Sequence, residues 1–252
     1  MSRFVALWRA LSMMLLAAFA SLAGAQQQPA KTVVLVHGAF ADGSSWQKVI
    51  PELQKAGLRV VAVQNPLDSL ENDVAVTRRA IREADGPVVL VGHSWGGVVI
   101  TEAGNDPKVR SLVYVAAFAP DTGQSAHDIA GKYPQPPGQK TFVKDADGFL
   151  KVSDEGVRKY FAADLTPTEQ DVIAAVQGRF HVRTLTAPIS QAAWRTRPSF
   201  MVVSINDTII SPQLQRDQVQ RAKATAIEVP SSHVAMLSHP KAVADLIVKA
   251  AK

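Results

Sequence analysis

The residues Gly92-His93-Ser94-Trp95-Gly96 hold a hydroxyl between two glycines. On a sharp strand-to-helix turn a serine in this frame takes a strained backbone, and its Oγ stands above the sheet edge. A Cβ in place of either glycine hydrogen would crowd the neighbouring chain. The flanks supply both arms of such a turn. Val88-Val89-Leu90-Val91 has the pattern of a strand buried on both faces, and Trp95 to about Gly104 reads as a helix. Amide N–H groups and the helix dipole then lie beside Ser94, where an acyl-transfer transition state develops negative charge.

A serine hydroxyl needs a general base near neutral pH. Of the six histidines, His37 and His93 flank glycines at strand ends, His127 and His181 lie in an irregular central stretch, and His239 precedes Pro240 at a helix start. His233, in Ser231-Ser232-His233-Val234-Ala235-Met236, falls in a loop after the last strand pattern. In a parallel sheet that loop opens on the same edge as the Ser94 turn, so His233 is the expected base. Asp207 follows directly on the strand pattern Phe200–Ile205 and is the expected acid, fixing the tautomer of His233. Asp121, also placed after a strand, is the runner-up. The order Ser94, Asp207, His233 is the one that accompanies a strand–serine–helix turn of this kind. The oxyanion needs two N–H donors: Trp95, next after the nucleophile, and Ala39 in His37-Gly38-Ala39-Phe40, with Phe40 the near alternative. Phe40, Phe118 and Trp194 are the candidates to line an apolar substrate pocket, with Trp95, Tyr160 and Phe161 beside them. This chemistry calls for neither metal nor cofactor.

The elements that position these residues alternate between strand and helix, which implies a mostly parallel sheet covered by helices on both faces. Thr32–His37 reads as strand and Trp46–Ala56 as helix, begun near Ser44 or Ser45 and stopped by Gly57. Leu58–Gln64 follows as strand, Ser69–Glu83 as helix, then Val88–Gly92 and Ser111–Ala117 as strands. From about 120 to 190 the alternation fails. Pro134, Pro136, Pro137 and Gly138 interrupt any long element, and Val157–Ala163 and Thr168–Val176 look like short helices, so this stretch reads as an inserted helical cap. Phe200–Ile205, Pro212–Ala222, Thr225–Val229 and Pro240–Ala251 restore the alternation.

The chain has 252 residues, 47% hydrophobic and 19% charged, a globular composition with room for a sizeable core. It has no cysteine, which removes disulfides, thiolate metal sites and a thiol nucleophile. Residues 1–25 have the form of a secretory signal peptide: Arg3 and Arg9, an apolar centre from Ala10 to Ala20, and Ala23-Gly24-Ala25 as the cleavage site. Cleavage there leaves a chain from Gln26 to Lys252 with no stable membrane anchor and a periplasmic or secreted location. It also takes away two arginines and no acid, lowering the net charge from +5 to +3. That mild excess, without basic runs, does not point to nucleic acid.

Val36-His37-Gly38-Ala39, Gly92-His93-Ser94-Trp95-Gly96-Gly97, Asp207 and Ser232-His233-Val234-Ala235-Met236-Leu237 together resemble the α/β-hydrolase superfamily. The nearer resemblance is to the branch of plant methylesterases, hydroxynitrile lyases and related bacterial esterases, and it covers nearly the whole chain from Thr32 onward. The resemblance implies an α/β-hydrolase domain over 26–252 with the cap at about 120–190. In hydroxynitrile lyases of that branch a threonine takes the place of Gly38, and a lysine follows the catalytic histidine where Val234 stands here. Without that cation the resemblance implies hydrolysis of a small-molecule carboxylic ester through an acyl-enzyme on Ser94. Cofactor-free haloperoxidase or perhydrolase activity on the same triad, and a non-catalytic binding protein on the same fold, are the alternatives.

Overall fold

The computed structural model describes residues 29–252, so the expected signal peptide lies outside the described residues. Six strands form one sheet: β1 (Thr32–Val36), β2 (Arg59–Val63), β3 (Val88–His93), β4 (Val109–Val115), β8 (Ser199–Ser204) and β9 (Thr225–Val229). Their spatial order is β2-β1-β3-β4-β8-β9, and every pairing between neighbours is parallel. β1 and β3 are buried along their whole length, and β4 nearly so. Such strands need cover on both faces, which explains their near-continuous Val and Leu content. The edge strands are less buried, β2 half-buried and β9 mostly exposed, and they carry Arg59 and Glu228.

The helices α1 (Ile50–Lys55), α2 (Leu70–Glu83), α3 (Gly96–Ala103), α6 (Pro212–Ala222), α7 (Ala235–Ser238) and α8 (Pro240–Ala250) follow the strands. Two further helices, α4 (Ala126–Ala130) and α5 (Pro167–Val176), lie in the stretch between β4 and β8. α8 packs on α1 and against β3, β4 and β8, while α2 packs on α3, which lies against β1, β3 and β4. The apolar stripe of α2 comprises Leu70, Val74, Ala80 and Ile81, and Ser69 caps it by accepting the Asn72 N–H.

Two expectations need correction. The helix read over Trp46–Ala56 is instead a 3₁₀ turn over Gly43–Trp46 followed by α1 from Ile50. Pro51 is the reason: it lacks an N–H and is tolerated in the first turn of a helix but not inside one. The cap is also not purely helical. It holds a three-stranded antiparallel sheet of β5 (Phe142–Lys144), β6 (Phe149–Val152) and β7 (Phe180–His181), and Val157–Phe161 forms a single wide turn of π type. Strands of two to four residues are too short to leave a period-two pattern.

The chain runs from β1 outward to β2 and then returns to β3 on the other side of β1. The loops after β1 and β3 therefore diverge, opening a crevice at the carboxyl edge of the sheet, where α/β folds place their ligands.

Candidate active site

Ser94 sits between β3 and α3 with φ 52°, the left-handed region that L residues rarely occupy. The turn is tight enough that a Cβ on Gly96 would lie 2.4 Å from the Val36 carbonyl oxygen. Gly97 donates to the Ser94 carbonyl at 3.0 Å, and that oxygen also accepts the Phe118 N–H at 3.2 Å, so the strained backbone is held from two sides.

The His233 ring lies between Ser94 and Asp207. Its Nε2 is 2.9 Å from Ser94 Oγ, and its Nδ1 is 2.8 Å from Asp207 Oδ2. All three residues are buried. Asp207 is held on both oxygens: Oδ1 accepts the N–H groups of Ile209 and Ile210 at 2.8 and 3.0 Å, and Oδ2 also accepts Gln215 Nε2 at 2.9 Å. Gln215 cannot turn its amide around, because its Oε1 accepts the Ser204 N–H. With the carboxylate as sole acceptor at Nδ1, that nitrogen carries the proton and Nε2 is free to take one from Ser94. An arrangement of this geometry can activate a hydroxyl as a nucleophile.

β9, the strand before His233, lies three places from β3, roughly 14 Å across the sheet. The His233 loop must therefore reach back over its neighbours. His93 Nε2 donates to the His233 carbonyl at 3.0 Å, Asn206 N–H donates to the Ser231 carbonyl, and Ser231 Oγ donates to Ser204 Oγ at 2.8 Å. From the cap, Asp164 accepts both the N–H and the hydroxyl of Ser232. Burial pushes the His93 ring well below the usual histidine range, aided by the neighbouring His233. His93 is thus a neutral tether.

His37 orients the opposite wall. Its Nε2 accepts the Asn65 N–H at 2.9 Å, so its proton is on Nδ1, which donates to the Gly38 carbonyl at 2.8 Å. Burial lowers its pKa and keeps it neutral. Across the planar trans peptide the Ala39 N–H points the opposite way from that carbonyl. Gly38 is pressed against the nucleophile: a Cβ there would lie 2.7 Å from Ser94 Cβ.

Ala39, Phe40, Ser94, Trp95 and Phe118 line one cavity of about 180 Å³, together with cap residues including Phe142, Leu150 and Phe180. Besides Ser94, its polar lining comes from His127, Gln135 and Gln139, and among the described residues lining it there is no Asp, Glu, Lys or Arg. Trp194 is elsewhere, which corrects the expectation that it lines the pocket. Its indole donates to the Pro120 carbonyl at 2.8 Å, and its ring is covered by the guanidinium groups of Arg195 and Arg221 at 5.0 and 5.3 Å. The turn Ala193–Arg195 leads into β8 from the opposite, amino edge of the sheet, out of reach of the crevice. Phe161 packs its ring on His233 at 5.1 Å and faces a separate groove, while Tyr160 offers its carbonyl to Thr208. Asp121, the runner-up acid, is bonded to Arg195 and not to a histidine. Gln215 and Asp164 left no signal in the sequence, since their partners are remote and their spacing matches no motif.

Residues 33–246 match the Alpha/beta hydrolase family. The chain is similar to the alpha/beta hydrolase nvfD of Aspergillus novofumigatus, 25% identical over 87% of this chain and 96% of that one. It is similar also to Methylesterase 2 of Arabidopsis thaliana, 27% identical over 84% and 92% of the two chains. The crystal structure of a pyrethroid hydrolase from Sphingobium faniae JZ-2 superposes with a TM-score of 0.74, covering 88% of this chain and 97% of that one at 20% identity, a likeness of fold. With the matched region spanning β1 to α8 and the strand order described above, the chain belongs to the alpha/beta hydrolase family.

Proposed function

We propose that this protein is a serine carboxylesterase acting on small uncharged esters. The observation that carries the reading is the buried run of hydrogen bonds from Ser94 Oγ through His233 to Asp207, opening on a cavity without charged walls. Ser94 attacks the ester carbonyl as His233 takes its proton. The N–H groups of Ala39 and Trp95 stabilise the oxyanion, and His233 returns the proton to the departing alcohol. Water, activated by the same histidine, then releases the acid. The cavity of about 180 Å³ is smaller than the roughly 300–1,000 Å³ usual for drug-sized ligands, which favours short acyl or single-ring groups. The esterase names among the relatives agree with this class. Export to the periplasm or the medium belongs to the same proposal and rests on residues 1–25 alone.

The test is turnover of a p-nitrophenyl ester series by the chain from Gln26 onward, beside Ser94→Ala. Short esters are expected to be hydrolysed, with a loss of about 10⁴ or more in the alanine variant and an unchanged circular dichroism spectrum. A fluorophosphonate is expected to label Ser94. Retained activity in Ser94→Ala, or labelling of another serine, overturns the assignment.

A further inference from the structure

Asp73 is a fully buried carboxylate in the first turn of α2. Among the described residues no cation pairs with it. Its Oδ2 accepts the indole N–H of Trp95 at 2.7 Å, and its Oδ1 accepts the Leu67 N–H at 2.8 Å. Both bonds lead to the same cap strand. The Trp95 ring meets Phe180 edge-on at 5.2 Å, and the Leu67 carbonyl accepts the His181 N–H at 2.9 Å. Leu67 is itself held at φ 63°. One carboxylate therefore ties the residue after the nucleophile, which forms part of the cavity wall, to β7, whose Phe180 forms the adjoining part. The Trp95 indole N–H is consumed in this bond and is not offered to the substrate.

We propose that Asp73 is a positioning residue of this site, setting Trp95 and the cap strand Phe180–His181 in register with Ser94 only while it is ionised; this rests on the esterase reading of Ser94. The reason is donor counting. A carboxylate accepts both N–H groups strongly, a carboxylic acid keeps only a weak acceptor at its hydroxyl oxygen, and an amide must turn its NH₂ toward one of them. Burial, with the nearby negative charge of Asp68 adding to it, pushes the Asp73 carboxyl up to about 6. Three of the charged or titratable groups on the surrounding segments are committed elsewhere. Arg183 donates to the Asp68 carbonyl, His181 Nδ1 accepts the Arg183 N–H, and Glu102 on α3 holds Ser190 and Arg78. Below the midpoint one of the two bonds weakens and the cavity wall loosens.

Two readouts test this. The first is the proton resonance of the Trp95 indole N–H, assigned by its loss in Trp95→Phe and followed against pH in the Ser94→Ala protein. It is expected to move with a midpoint near 6 and to stop moving when Asp73→Asn is added. The second is ester hydrolysis. Asp73→Asn is expected to lose about 10-fold or more in kcat/KM, carried in good part by KM, with an acid limb less steep than that of the wild type. Asp73→Glu keeps two acceptors and is expected to recover part of the loss. An indole that is silent across the range, or an Asp73→Asn variant with wild-type kcat, KM and acid slope, overturns the proposal and leaves the esterase reading standing. A titrating indole with no ester turnover in the wild type overturns the esterase reading and supports the carboxylate–indole link.

Discussion

Asp207 accepts four hydrogen bonds, two on each oxygen, which fills the acceptor capacity of a carboxylate. That saturation predicts the behaviour of Asp207→Asn. The oxygen must stay on the Ile209 and Ile210 N–H groups, so the amide NH₂ faces His233 Nδ1 and forces the ring proton to Nε2. A loss of about 10⁴ in kcat is expected with the fold kept, measured by initial rates and melting curves. Asp121→Asn breaks only its pair with the exposed Arg195 and is expected to change kcat less than about twofold. A reversal of these two effects would reassign the acid. Asp73 predicts a stability effect of opposite sign to that of a paired carboxylate. Burial raises it from 3.8 to about 6, so the native state holds its proton more tightly than the unfolded chain. Its stabilising contribution is present below the unfolded value and is lost as pH rises through about 6, up to about 3 kcal/mol for two units. Urea midpoints taken at about pH 4.5 and about pH 7 are expected to show the wild type losing ground to Asp73→Asn as pH rises. Parallel shifts in the two proteins would show that this carboxyl does not titrate as described.

At the scale of elements, the loop after β1 is set by what Gly38 lacks. A side chain there meets Ser94 Cβ at 2.7 Å and the His93 carbonyl oxygen at 3.0 Å, neither of which is a flexible tip. Gly38→Ala is expected to displace the Ala39 N–H from the nucleophile and to lower kcat by about 10²–10³ with a smaller change in KM, the signature of a lost oxyanion donor. Equal kcat in the variant would place the oxyanion elsewhere. The strand and helix units of the core were legible because buried parallel strands leave unbroken apolar runs, as in Val33–Val36 and Val88–Val91. The helix expected from Trp46 starts later because Pro51 fits only in a first turn, and the apolar spacing around it does not show where that turn lies. The cap strands were missed because Phe180–His181 has only two residues, too few to carry a pattern.

For the molecule as a whole, the reading as a hydrolase and not a cyanohydrin lyase turns on Val234, which places no cation beside the nucleophile, and on Gly38, which leaves no room for a threonine. Hydrolysis of short aryl esters is expected, with no cleavage of mandelonitrile or acetone cyanohydrin above the buffer rate, followed by cyanide release. Efficient cyanide release without esterase activity would defeat this. Mass spectrometry of the protein from its native host is expected to show a chain that starts at Gln26, and a mature fraction retaining Met1 would exclude cleavage. What the sequence determined by itself is what depends on local order: the strained serine turn, the succession of βα units, and the appearance of serine, acid and histidine on loops that a parallel sheet gathers at one edge. Tertiary structure decided how far each loop reaches. His233 starts three strands from Ser94 and is drawn back by His93, Ser204 and Asp164; Asp207 is oriented by Gln215; and Trp95 is held by Asp73. Each of those partners lies on a different element, so their hydrogen bonds exist only once the sheet and the cap have packed. Trp194 fails as a pocket residue for the same reason: its composition suited the cavity, and its place at the entry to β8 put it against Pro120 instead.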